Sequence, residues 1–132
     1  MKDFFFGGGQ RRPSKVLPVE SPLTAWAKAA STKLRMTWLG HSTVLIEIDG
    51  VRVLTDPVFG ERVSPVPFAG PKRFHQTPVT LSQLPPIDAV LLSHDHFDHL
   101  CATSMKQIAK LGVPVITSLG VGARLEAMGV DP

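Results

Sequence analysis

The chain carries His94-Asp95-His96-Phe97-Asp98-His99 one residue after a short, largely apolar run, residues 87–92. An apolar run of this length is typical of a buried strand, which places the histidines at a strand end. Three imidazoles and two carboxylates within six residues suit neither a hydrophobic core nor an ordinary turn. The stretch therefore predicts a metal site.

The spacing within this stretch divides the ligands between two cations. In an extended loop His94 and His96 project to one side, so their ring nitrogens can converge on one cation at about 2.0–2.1 Å. Asp98 and His99 follow as the chain turns away, and they can offer an oxygen and a nitrogen to a second cation. Nitrogen and oxygen ligands without thiolates suit zinc, and they also tolerate iron or manganese.

A second interpretation of the same residues involves no metal. A histidine-rich turn can be solvated, and Asp98 can accept backbone amides as the N-cap of the following helix. The density of the cluster and its place after a buried strand favour the metal site. Cys101 is left out of this site, because a lone cysteine is more often a small buried hydrophobe.

Three strands are predicted before the histidines. Residues 34–39 alternate apolar with polar side chains, and residues 43–48 are apolar and mostly β-branched. Asp49-Gly50 separates that run from residues 51–54. An Asp-Gly pair between apolar strands indicates a hairpin, because both central positions of a type I′ turn need positive φ.

A β-loop-α-β unit is predicted around and after the histidines. Apolar residues at helical spacing lead from Leu100 to Gly112, and residues 113–117 look like the next strand. Ser118 is expected to cap a second helix through Met128. Because the chain ends where a further strand is expected, we interpret it as truncated.

Two segments of the chain lack the pattern of regular structure. Residues 1–33 form a basic leader rich in proline and glycine, in which residues 24–31 are expected to make a short surface helix. Residues 55–86 form a proline-rich loop that is expected to shape one wall of a site. Three residues of this loop are interpreted as solvated charges, with phosphate binding as the alternative. They are Lys72, Arg73 and His75.

Composition excludes several classes of protein. At 132 residues the chain fits one domain, here 34–132 after the leader 1–33. The net charge of +3 comes from residues 1–36, with seven Lys/Arg against two acidic residues. The slightly acidic remainder disfavours nucleic-acid binding.

A single cysteine, with no signal peptide or membrane span recognisable, indicates a cytoplasmic protein with at most peripheral membrane contact.

The motif His94-x-His96-x-Asp98-His99 resembles the signature of the metallo-β-lactamase superfamily. Further upstream segments resemble the branch that holds N-acyl-phosphatidylethanolamine phospholipase D-like and RomA-like proteins, with ascorbate-6-phosphate lactonase-like enzymes as cousins. They are Trp38-Leu39-Gly40-His41-Ser42-Thr43, Asp49-Gly50, Leu54-Thr55-Asp56-Pro57-Val58-Phe59 and Gly70-Pro71-Lys72-Arg73. The resemblance covers about residues 34–130.

The resemblance implies an α/β fold, the amino-terminal half of an αββα sandwich with a mixed sheet and helices on its outer face. It implies that His94 and His96 bind the first metal, that Asp98 and His99 bind the second, and that Asp98 also orients the reacting water. The family's remaining ligands lie further along and are not found here. Phe97 departs from the tyrosine that many relatives carry, which affects only fine positioning.

Two further residues match positions typical of the family. Asp56 before Pro57 could orient a ligand histidine through a hydrogen bond, with a simple Asp-Pro turn as the alternative. His41 could support the site or belong to a turn. Neither role is fixed by the residues alone.

The implied function is a dizinc hydrolase that attacks a phosphodiester, phospholipid or other ester through metal-bound hydroxide. One alternative is a lactonase acting on a sugar-phosphate lactone. Another is a catalytically incompetent fragment that binds metal weakly or folds only with its missing half. The expected partners are a small-molecule or lipid substrate and, through the exposed sheet face, a second copy of the chain.

Overall fold

The computed structural model describes residues 13–64, 66 and 68–130. The strands within these residues are β1 Arg35–Gly40, β2 Thr43–Ile48, β3 Val51–Thr55, β4 Ala89–Leu92 and β5 Val115–Thr117. The α-helices are α1 Leu23–Trp26, α2 Ala102–Ile108 and α3 Val121–Ala127. Short 3-10 turns lie at Leu81–Gln83 and Ala109–Leu111.

The strands form one mixed sheet in the order β1-β2-β3-β4-β5. Its first three strands pair antiparallel, and β4 and β5 join in parallel. The predicted hairpin is confirmed, since Asp49 and Gly50 have φ of 51° and 81°. The β4-α2-β5 order confirms the predicted β-loop-α-β unit, in which the crossover carries a helix onto the sheet.

One face of the sheet builds the core. Leu45, Leu54 and Val90 are fully buried, and they join one cluster with Met105 of α2 and Leu125 of α3. The helices therefore cover this face and remove its apolar surface from water. The predicted fold class, a mixed α/β sheet with helices on its outer face, is confirmed.

The opposite face of the sheet is apolar and uncovered by the described residues. Met36 and Trp38 of β1 are 59% and 60% exposed, and Leu91 and Ile116 further across the sheet are 44% and 56% exposed. Strand register puts Trp38, Leu91 and Ile116 in one row across the sheet. Self-association through this face stays a prediction.

Two helix predictions differ from the structure. The short surface helix expected at residues 24–31 is the single turn α1, and its Trp26 is 6% exposed within the core cluster. Ser118 does not cap α3, because the N-cap is Gly120 with a φ of 89°. Glycine adopts this left-handed conformation without the steric cost that a Cβ brings. The division into residues 1–33 and 34–132 stays a prediction, and residues 1–12 lie outside the described residues.

The proline-rich segment 56–86 runs between β3 and β4. Its regular structure, within the residues described, is limited to the 3-10 turn at Leu81–Gln83 and one antiparallel bridge between Arg62 and Lys72. This agrees with the prediction of a long loop. No helix of the described ranges is long and apolar enough to cross a bilayer.

A buried ion-pair network joins the first three strands. Glu47 of β2 is fully buried, and its carboxylate accepts hydrogen bonds from Arg35 of β1, including one of 2.6 Å from Nη2. Arg52 of β3 donates from Nε to the same carboxylate at 3.1 Å and from Nη2 to Lys28 O at 3.1 Å. The network therefore ties the segment before β1 to the sheet.

Replacing Glu47 by glutamine is expected to lower the free energy of unfolding by about 3 kcal/mol, because two arginines lose the charge that compensates them. The matched control is Glu61→Gln, whose ion pair with Lys72 is exposed. That control is expected to stay within about 0.5 kcal/mol of the wild type. Urea unfolding monitored by circular dichroism measures both.

The same network predicts a pH dependence. The Arg35 hydrogen bonds hold the pKa of Glu47 below its ordinary value against the opposing effect of burial, and Arg52 adds to the lowering. The stabilisation is therefore complete above the unfolded-state pKa and is lost as pH falls through the folded-state pKa. An equal acid sensitivity of Glu47→Gln and wild type would contradict this account.

Candidate metal centre

The site forms where β3 and β4 end. These strands are parallel, with Thr55 opposite Leu91, so their carboxyl ends meet at one edge of the sheet. Asp56 follows β3, and its amide donates to Leu91 O at 3.0 Å. Ser93 follows β4 and leads directly into the histidine motif. The sheet therefore brings two distant parts of the chain together at the motif.

Asp56 holds the start of the motif and one of its histidines. Its side chain is 8% exposed, and its carboxylate accepts hydrogen bonds from Ser93 N at 2.7 Å and Ser93 Oγ at 2.8 Å. The Nδ1 atom of His99 lies 2.8 Å from Asp56 Oδ2. Because Nδ1 is engaged in this way, Nε2 is the ring atom left to bind a ligand.

The histidines of the motif lie against one another. The ring centroids of His94 and His96 are 4.6 Å apart, and those of His94 and His99 are 4.0 Å apart. Ser93 Oγ is 2.9 Å from His94 Nδ1, so Ser93 contacts both Asp56 and a histidine. The structure thus brings together the three histidines that the motif predicted.

His41 joins this group from the turn between β1 and β2. Its Nε2 lies 3.1 Å from Asp98 Oδ2, and His99 Nε2 lies 3.7 Å from the same oxygen. Ligand atoms of His41, Asp98 and His99 all lie within 4.8 Å of one another. Ser42 Oγ also donates to Asp98 O at 3.2 Å. The β1–β2 turn is therefore part of the site.

Asp98 is held in its ionised form. Burial opposes ionisation, but hydrogen bonds from His41 and from its own amide, with the nearby His99, outweigh that effect and lower the pKa of Asp98. The alternative role of Asp98 as a helix cap does not fit the structure, because α2 begins at Ala102 with Cys101 as its N-cap. Its carboxylate remains directed at the histidines.

These donors fit a divalent metal. The cluster offers imidazole nitrogens and a carboxylate oxygen, which suit zinc and comparable divalent cations. Cys101 contributes no ligand atom to it and lies instead 3.2 Å from Thr103 Oγ1. Of the predicted ligands, Asp98 and His99 converge with His41 in this cluster, while His94 and His96 lie beside it through the ring contacts of His94. The assignment of these residues as ligands, and their division between two metals, stays a prediction.

Sequence reasoning missed Arg124 of α3. Its Nε lies 3.3 Å from Asp95 Oδ2, and its guanidinium carbon lies 5.6 Å from the centroid of the Phe97 ring. Asp95 and Phe97 occupy the two variable positions of the motif. Arg124 thus contacts the motif loop at both of these positions, and nothing in the local sequence signals this contact.

A cavity of about 420 Å³ opens beside His41. The proline-rich loop supplies one wall, which agrees with the expectation for this segment. Trp38 supplies part of the opposite wall, and its Nε1 donates to His41 O at 2.8 Å. Gly40 has a φ of 116°, and a Cβ there would lie 2.8 Å from His75 Cε1 and 3.0 Å from Arg73 Nη1. The loop therefore packs directly on the β1–β2 turn.

Comparisons with known proteins place the chain in a family. The model of the Beta-lactamase superfamily domain matches residues 51–131. The chain is 40% identical over 116 residues to N-acyl-phosphatidylethanolamine-hydrolyzing phospholipase D 1 of Caenorhabditis elegans, covering 86% of this chain and 32% of that protein. It is 34% identical over 107 residues to a UPF0173 metal-dependent hydrolase of Anaeromyxobacter sp. (strain K), covering 80% and 35%.

A solved structure agrees with these matches. The isothiocyanate hydrolase from Delia radicum gut bacteria superposes with a TM-score of 0.55 at 26% identity, covering 73% of this chain and 38% of that chain. This chain spans about a third of the length of the curated relatives it matches. From the family match, the mixed sheet and the motif after β4, we conclude that the chain belongs to the metallo-β-lactamase superfamily.

Proposed function

We propose that this chain provides the metal-binding side of a dizinc hydrolase that cleaves a phosphodiester, phospholipid or related ester. The observation that carries the proposal is the Asp56–His99–Asp98–His41 arrangement next to His94 and His96. A carboxylate behind a histidine, with that ring's second nitrogen free, is typical of metal sites. The relatives named as hydrolases support the same conclusion.

The proposed division of the ligands follows the order of the motif. His94 and His96 would hold the first ion, and Asp98 and His99 the second, with His41 close to the second through Asp98. When bound, the metals would supply Lewis acidity and a water of low pKa at neutral pH. Zinc is proposed because imidazole nitrogens and carboxylate oxygens are among its ligands, while iron and manganese are the other metals that such ligands accept.

The chain's own side chains prepare this site. Asp56 holds the proton on His99 Nδ1, so that the lone pair of Nε2 points away from it. His41 hydrogen-bonds one oxygen of Asp98, which fixes the carboxylate that we propose orients the attacking water. Each contact restricts the conformations of the ligand side chains before metal binds. Less conformational entropy is therefore lost when the metal is bound.

The proposed substrate class rests on the relative that hydrolyses N-acyl-phosphatidylethanolamine and on the cavity beside His41. That cavity has both apolar and cationic side chains in its walls, which suits an ester with an apolar portion. We propose a cytoplasmic protein with peripheral membrane contact and without a nucleic-acid partner. The slightly acidic composition of residues 37–132 supports the last of these.

Metal content is the first test. Protein purified without chelator is expected to hold near-stoichiometric zinc, and the double variant His94→Ala/His96→Ala is expected to lose at least one ion, since each imidazole is a ligand. Elemental analysis per chain measures both. The matched control is His75→Ala, because the His75 ring lies against Trp38 and Phe74 and not against the motif histidines. A folded wild-type sample without metal would contradict the proposal and favour the fragment interpretation.

The role of Asp56 gives a second test. Asp56→Asn is expected to weaken zinc binding by about 10- to 100-fold, because the amide cannot fix the His99 ring as a carboxylate does. Asp95→Asn serves as the control on the motif loop, and its half-exposed ion pair predicts less than about a fivefold change. Competition with a chromophoric chelator measures both affinities. Unchanged affinity in Asp56→Asn would show that Asp56 is only a turn residue.

A further inference from the structure

Arg73 is a partly buried cation without a carboxylate partner. Its Nη2 donates to Val58 O at 2.6 Å, and its Nε is buried without a hydrogen-bond partner among the residues that the structure describes. No acidic side chain of the described part of the chain forms an ion pair with it. An isolated charge in such a place is costly unless something compensates it.

Burial acts on the charge of Arg73. It lowers the pKa of the guanidinium, while an ionised Cys101 thiol acts in the opposite direction. The neighbouring Lys72 differs, because its ammonium is 58% exposed and lies 3.4 Å from Glu61 Oε2. Of the two adjacent cations, Lys72 is paired and solvated. Arg73 is the one whose charge lacks a carboxylate partner among the described residues, so a bound anion would stabilise it.

Arg73 lines the same cavity as His41. Leu17, Trp38 and Phe74 contribute apolar walls to this space of about 420 Å³. Lys72 and Glu61 also line it, and they pair with each other. His41 in turn lies within hydrogen-bond reach of Asp98 in the metal-ligand cluster. A molecule in the cavity would therefore contact a cation and apolar side chains while one end faced the metal centre.

We propose that Arg73 binds the anionic group of a ligand whose apolar substituent occupies this cavity. The chemical class is a monoanionic ester with apolar arms, of which a dialkyl phosphate is the simplest example. A guanidinium suits this group because its N–H groups donate charge-assisted hydrogen bonds to phosphate or carboxylate oxygens. The inference deepens the proposed function and rests on it for the claim that the bound molecule is the substrate.

The test measures binding of dibutyl phosphate to the metal-free protein by calorimetry. Removing metal with a chelator, followed by dialysis, prevents the anion from binding to metal instead. Arg73→Met is expected to weaken binding by about tenfold or more, because a charge-assisted contact is lost. Arg62→Met is the matched control on the same loop, because Arg62 does not line this cavity, and it is expected to change binding less than about twofold.

Wild-type protein provides a test that does not depend on the folding of a variant. The neutral methyl ester of dibutyl phosphate is expected to bind at least about tenfold more weakly than the anion. Inorganic phosphate is also expected to bind more weakly, because it has no alkyl chain for the apolar walls. Equal binding of the neutral ester, or of inorganic phosphate, would overturn the proposal, as would equal losses in the two loop variants.

Vesicles distinguish the two sources of such an anion. Phosphatidylcholine vesicles are compared with vesicles that also contain phosphatidylglycerol, in sedimentation with wild type and Arg73→Met. Arg73-dependent binding to the anionic vesicles supports the site with a lipid as its ligand. If the protein binds dibutyl phosphate but not the anionic vesicles, the result supports the site with a soluble ester as its ligand. Because these measurements use metal-free protein, their failure is separate from a failure to bind zinc.

Discussion

The carboxylate of Asp56 is the group on which the organisation of the site depends. It joins the end of β3 to the end of β4 through Ser93 and orients His99 with its second oxygen. Asp56 adopts a φ of 34°, a backbone conformation that L-residues seldom take. Three hydrogen bonds to one carboxylate offset that strain. Parallel pairing of β3 with β4 brings the two ends together, so the site follows from the sheet topology.

Much of the sheet could be predicted from the sequence because its signals are local. Alternating apolar residues and the Asp49-Gly50 pair correctly placed the first three strands and their hairpin. The helix predictions were less accurate, because tertiary packing decides where helices begin and end. Trp26 ends in the core although its neighbours are small and alanine-rich. Ser118 looked like a cap, yet the chain turns at Gly120 before α3 begins.

The same distinction holds for the site. Four proposed ligands lie within six consecutive residues, so the motif could be found without any structure. The contact of His41 with Asp98 spans 57 positions and depends on the β1–β2 turn. The sequence indicates a solvated loop charge at Arg73. In the structure the loop folds back onto Gly40, and part of the Arg73 guanidinium is buried. Exposure of a loop residue depends on what the loop lies against, which composition does not encode.

Trp38 connects two features that otherwise look separate. It belongs to the uncovered apolar face, in one row with Leu91 and Ile116, and it also forms a wall of the cavity beside His41. The sheet face and the cavity beside His41 therefore share one side chain. Burying this face would stabilise the protein in proportion to the area removed from water. Any chain segment or partner that covers the face also packs on Trp38, so the covering of the sheet and the shape of the cavity are coupled.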